Sequence, residues 1–245
     1  FIYYIKSKIS VELFEIYLSK NIEFLLKKNS AELIRNIKDE VNMFSLGVIQ
    51  SLLHCITEIV IVSFIIIFLL YTSFKLTVSA VLFFSIIFII YYFFVKNIFL
   101  NLGYERQKIT LQNLKDLMQP LRGFKDVKIF QKENHFTQIY NKSSYKLAGI
   151  ATKSQTLNMI PRLCFEFFLV SSVIIYILYL DDSKSTYKNS LESLGLFAIA
   201  SFRLLPSISR IFISLQQFRY NKSAVKVVLQ ELEEKNKDIK KNNIN

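Results

Sequence analysis

Residues 76–95 constrain the fold most. Twenty consecutive positions there carry no charged side chain. At 1.5 Å per residue, twenty residues cross the ~30 Å hydrocarbon layer of a bilayer, where a backbone must satisfy its own hydrogen bonds. The stretch reads as a transmembrane helix. Three others are largely apolar over a comparable length but carry charges: 43–71, 156–180 and 191–218, the last the least apolar. A hydrophobic fraction of 52% and a mean hydropathy of +0.32 exceed what a soluble domain needs, and five glycines and three prolines supply too few turns for a β-rich fold. The fold class is an all-α membrane protein.

The connections set the orientation. Residues 96–153 hold eleven basic and four acidic side chains, a net charge of +7; residues 181–192 hold two basic and three acidic. The positive-inside rule places the long loop in the cytoplasm, with 21–41 and the C-terminal end on the same side and 72–75 and 181–190 outside. The formal charge of +12 sits between apolar spans, so it reflects this bias and not a nucleic-acid partner. Within the loop, Ile109, Leu111, Leu114, Leu117, Met118, Leu121 and Phe124 recur every three or four positions. The helix therefore continues past the membrane, with Pro120 as a point of bending. After Gly123 the apolar positions become Val127, Ile129 and Phe130, then Phe136 and Tyr140.

At the start of the chain, Ile2, Ile5, Ile9, Leu13, Ile16 and Tyr17 lie at helical spacing among charged residues, an amphipathic helix too polar to span. A short apolar patch at Ile22, Phe24, Leu25 and Leu26 ends in Lys27-Lys28-Asn29. Asn29 with Glu32 three residues on has the form of a capping box, which starts a new helix there. The chain begins at Phe1, partway through an amphipathic segment, and reads as a piece of a longer protein. Residues 233–245 are rich in Lys and Asn and predict a disordered tail.

No catalytic constellation is visible. The glycines are not spaced to cradle phosphate, the two histidines His54 and His135 lack ligand spacing, and Cys55 and Cys164 read as small buried hydrophobes. The informative polar residues fall within the spans: Glu58, Arg162, Glu166, Arg203 and Arg210. A charge in hydrocarbon costs about 3 kcal/mol or more, so it faces a bundle interior or a wet cavity and finds a partner. Two readings stand together: a polar translocation pathway, or a structural ion pair of Arg203 with Glu58 or Glu166, with Arg162 and Arg210 reaching to the inner interface. Pro161 and Pro206 predict kinks in their spans.

Spans joined by short outer loops and extended by long intracellular helices resemble the transmembrane domain of an ABC exporter, from the inner end of its second helix through its sixth. The family's first helix and its ATPase domain have no counterpart in these residues. Phe24-Leu25-Leu26-Lys27-Lys28-Asn29-Ser30-Ala31-Glu32-Leu33-Ile34-Arg35 resembles the first intracellular loop with its coupling helix, and Gly123-Phe-Lys-Asp-Val-Lys-Ile-Phe130, followed by 131–136, resembles the second. Ile160-Pro-Arg-Leu-Cys-Phe-Glu166 and residues 200–211 look most like flippases of lipid-linked oligosaccharides and related surface glycans. The resemblance implies several things: a homodimer or pseudo-dimer in the plasma or inner membrane; lipid contact; an ATPase domain, in cis or on a separate chain, that binds ATP and Mg; and no catalysis by this chain itself. It also implies coupling contacts at Phe24, Leu25, Phe130, Glu133 and Phe136. The competing reading is a channel or sensor whose basic loop binds anionic lipid or a cytoplasmic regulator.

Overall fold

The computed structural model describes residues 1–72, 74–180 and 187–242, with the side chains of most of them. Helices make up almost all of this backbone, and no strand occurs among the described residues. In chain order they are α1 (Ile2–Ser19), α2 (Ile22–Lys27), α3 (Ser30–Thr72), α4 (Phe74–Arg122), α5 (Phe124–Ile129), α6 (Glu133–Leu180), α7 (Tyr187–Tyr220) and α8 (Lys222–Asn242). The chain divides into two compact units. The first comprises Phe1–Ser51, Ile98–Ser154 and Gln217–Asn245, the second Leu52–Asn97 and Gln155–Gln216.

In the first unit the polar-to-apolar pattern sets the helix boundaries. Asn29 caps α3: its side-chain oxygen accepts a hydrogen bond from the Ala31 N–H at 2.9 Å. That cap separates α2 from the long helix, as the Asn29/Glu32 spacing predicts. The stripe on α1 buries Leu13, Ile16 and Tyr17 against Val41 of α3 and Val228 of α8. Ile9, Phe24, Leu33, Ile37, Phe44 and Leu232 complete the cluster.

Two parts of α3 are wound more widely than an α-helix. Residues Asn36–Glu40 and Met43–Ile49 are π-helical, and the Val41 N–H reaches back five residues to the Asn36 carbonyl. Such segments are rare and concentrate at functional places.

Two glycines press on the junction between α7 and α8. A Cβ on Gly103 would stand 2.1 Å from the Tyr220 carbonyl oxygen, and one on Gly47 would stand 2.3 Å from Asn221 Nδ2. Asn221 is fully buried and its Nδ2 donates to the Gln217 carbonyl at 2.8 Å. At Gly103 the obstacle is backbone, which leaves no room for a side chain; at Gly47 it is the Asn221 side chain, which would have to shift.

Helix α4 is continuous over 49 residues through Pro120, and α6 over 48 through Pro161. At 1.5 Å per residue each is ~70 Å long, more than twice the hydrocarbon thickness. Gly123 ends α4, and α5 follows at once. A Schellman motif closes α5: the Lys132 N–H bonds the Val127 carbonyl at 3.0 Å and the Gln131 N–H bonds the Lys128 carbonyl at 3.2 Å. Gln131 takes the left-handed conformation, φ 51°, at the position glycine usually fills.

Backbone helix α8 reaches Asn242, over most of the stretch whose composition predicts disorder. Glu and Lys are good helix formers, and a helix already docked through Ala224 and Val228 propagates into them. The connection 181–190, expected outside the membrane, lies mostly outside the described residues, with helix from Tyr187.

In the second unit, the Thr77 hydroxyl donates to the Leu69 carbonyl at 3.0 Å across the tight α3–α4 connection. Phe212 meets Phe88 edge-on at 5.3 Å and Tyr91 at 4.9 Å; the Tyr91 hydroxyl donates to the Leu157 carbonyl at 3.0 Å. Outward, Phe64, Ile67, Phe68 and Tyr71 on α3 and Ile86, Ile90, Phe93 and Phe94 on α4 stand exposed. An apolar surface of this extent belongs in lipid. Among the described residues one helix, Ser30–Thr72, meets the length and composition of a membrane span.

Candidate functional site

The first candidate is built around α5. Its sequence, Phe124-Lys-Asp-Val-Lys-Ile129, buries one apolar residue, Val127, and leaves the others outside. Phe124 is 57% exposed, Ile129 73% and Phe130 68%, with Leu121 also open on the last turn of α4. Burying Phe124, Ile129 and Phe130 against a partner is worth roughly 5 kcal/mol before the costs of association. Lys128 joins this tip to α6 through Glu133, Nζ to Oε1 3.0 Å. A hydrogen bond from its own backbone N–H, then the Lys128 bond, hold the Glu133 carboxyl below its ordinary range. Phe136 is only half-exposed and lies 5.5 Å from the His135 ring. Of Phe130 and Phe136, both expected at this contact, Phe130 is the one on open surface.

Phe24, on α2, turns inward. Its ring packs 6.2 Å from Tyr17, and Lys28 Nζ sits 4.9 Å from its centroid. The side chain of Leu25 lies outside the described residues. Among the described side chains of α2, Ile22 is exposed.

Sequence patterns miss a charged cluster in the same unit. Glu40 is fully buried, with Arg106 Nη2 3.4 Å from Oε2 and Arg35 Nε 3.6 Å from Oε1. Arg35 Nη2 donates to Asn36 Oδ1 at 2.8 Å, and Asn36 Nδ2 donates to the Tyr17 hydroxyl at 3.1 Å. Lys28 Nζ meets buried Glu231 Oε1 at 2.6 Å. Burial raises the Tyr17 hydroxyl and the Asp39 carboxyl above their ordinary ranges; Arg106 and Arg35 oppose the rise at Asp39. A cavity of about 410 Å³ opens beside Lys28, Arg35 and Glu231. The available signal was weak: charged residues on otherwise apolar faces, with partners up to 203 positions away.

The second unit holds Glu58, Arg162, Glu166, Arg203 and Arg210. Arg210 Nε on α7 meets Glu58 Oε1 on α3 at 2.7 Å, and Glu58 is buried. Arg162 Nε meets Glu166 Oε1 at 2.7 Å, one turn away on α6. The pairing of Arg203 with either carboxylate is therefore corrected. Arg203 is exposed, and two turns along α7 from it Arg210 occupies the position opposite Glu58. Near these groups Phe88, Tyr91, Phe94, Phe165 and Phe212 line an apolar cavity of about 380 Å³ that Cys164 also borders. No group of three or more His, Cys, Asp or Glu is gathered for a metal among the described residues.

Helices that outrun a bilayer, ending in a six-residue helix with an open apolar face, define a class: a helical membrane protein with long helical extensions beyond the bilayer. The chain matches the ABC transporter transmembrane region over residues 3–201 and belongs to that family. It is the transmembrane part of an ABC transporter, and the channel or sensor reading gives way to transport.

Proposed function

We propose that the chain is one half of an ATP-driven exporter in the plasma or inner membrane, crossing it at 43–71, 76–95, 156–180 and 191–218 with 96–153 in the cytoplasm. An ATPase domain, in cis or on a separate chain, carries ATP and Mg and receives α5. A second copy of the chain completes the pathway. The observation that carries this reading is the open apolar face of Leu121, Phe124, Ile129 and Phe130 at the end of continuous helices. A stiff helix about 40 Å beyond the membrane transmits nucleotide-driven movement as rotation of its own span. The cargo is a lipid-linked glycan; the likeness of 160–166 and 200–211 to glycan flippases supports that class, and the charged pairs Glu58–Arg210 and Arg162–Glu166 within the spans suit a polar headgroup.

The test uses the full-length protein in liposomes. Lipid-linked glycans are expected to stimulate ATP hydrolysis, and Phe130→Asp to leave hydrolysis running while transport stops. Flat hydrolysis across glycans and lipids would remove the cargo class. Wild-type coupling in Phe130→Asp would move the contact away from α5.

A further inference from the structure

The first π-helical segment of α3, Asn36–Glu40, carries the buried Glu40 of the charged cluster. Arg35 and Glu40 are five residues apart. On an α-helix, five residues at 3.6 per turn leave two side chains about 140° apart. An i→i+5 ladder instead brings the sixth residue back over the first. The contact between Arg35 Nε and Glu40 Oε1 therefore exists because Asn36–Glu40 is wound as π. The cluster is also under-satisfied. At 3.6 Å the pair is beyond hydrogen-bond length, and Arg35 Nε, Glu40 Oε1 and Arg106 Nε are buried without a hydrogen-bond partner. Arg106 reaches the other oxygen, Oε2, from α4, and half-buried Asp39 lies within range of both arginines.

We propose that Asn36–Glu40 is a two-state winding element with Glu40 as its shared counter-ion. In the π form Glu40 lies between Arg35 and Arg106. In the α form Arg35 diverges, Arg106 alone holds Glu40, and the part of α3 beyond the segment turns about its own axis. Glu40 and Arg35 are positioning residues: they act on the winding of α3 at this segment.

Hydrogen–deuterium exchange on the full-length protein in lipid nanodiscs, read on peptides covering 34–45, tests this without reference to transport. Arg35→Gln removes the contact that rewards the π form, so amides 37–42 are expected to exchange about tenfold more slowly. An ion pair that merely props the bundle predicts the reverse. Arg35→Lys retains the cation and is expected to keep wild-type exchange. Deleting exposed Lys38 places Arg35 and Glu40 four apart, compatible with α winding, and is expected to slow exchange as well. Faster or unchanged exchange in Arg35→Gln overturns the proposal, and so does wild-type exchange in the Lys38 deletion. If Arg35→Gln does not fold, the deletion alone decides.

Discussion

Gly103→Ala is the sharpest test of how the first unit is packed. The added carbon would stand 2.1 Å from the Tyr220 carbonyl oxygen and 2.9 Å from its carbonyl carbon. A carbon–oxygen contact settles near ~3.3 Å, so α4 and the α7–α8 junction must part by about 1.2 Å. Both obstacles are backbone, which a rotamer change cannot move. Overpacking of this kind costs up to about 3 kcal/mol, and alanine in a helix returns about 1 of them. The net loss of about 2 kcal/mol lowers Tm by about 4–8 °C for a chain of this length. Gly149→Ala is the control: nothing lies within 4 Å of its Cβ, and the same helix propensity should raise Tm by about 2–4 °C. Gly47→Ala should fall between them, because it meets the Asn221 side chain and not a backbone. With no Trp in the sequence, far-UV circular dichroism in detergent is the assay. A Gly103→Ala protein that melts at or above wild type, beside a stabilised Gly149→Ala, would refute the close approach.

Arg210→Ala leaves the buried Glu58 carboxylate without its cation and should cost about 1–3 kcal/mol, recovered by adding Glu58→Gln; Arg203→Ala should leave Tm within error. Thermal melts of the four proteins check this. Gln131→Gly relieves a left-handed backbone and should stabilise by about 1 kcal/mol in the same melts. Glu133 titrates below its ordinary 4.5, so its contribution to the start of α6 is present above pH 4.5 and lost as pH falls through the lower folded value. Amide exchange at 133–137 should rise over that window in wild type and show no such step in Glu133→Gln.

Much of the helix order was legible because its signals are local. Asn29 caps the helix it was expected to start, and uncharged length marks 76–95. The Glu40 cluster was not legible, because a five-residue spacing signals no pairing on an α-helix and Arg106 arrives from 66 positions away. Arg203 was paired wrongly for a related reason. Sequence gives the depth of a charge along a helix but not the face it occupies against a neighbour. Phe24 and Phe130 looked alike as apolar residues of coupling segments. Only the packing of α1 against α2 distinguishes the one that belongs to the core.

The two ion pairs of the second unit differ in what a rearrangement does to them. Arg162 and Glu166 share one helix, so their pair travels with α6 and has the same energy wherever that helix goes. A term equal in two states cancels from their equilibrium, however strong it is. Glu58 and Arg210 stand on different helices, and separating α3 from α7 breaks them. Of these two pairs, only the second can favour one conformation over another, and only a bound group that competes for Arg210 or Glu58 can draw on it.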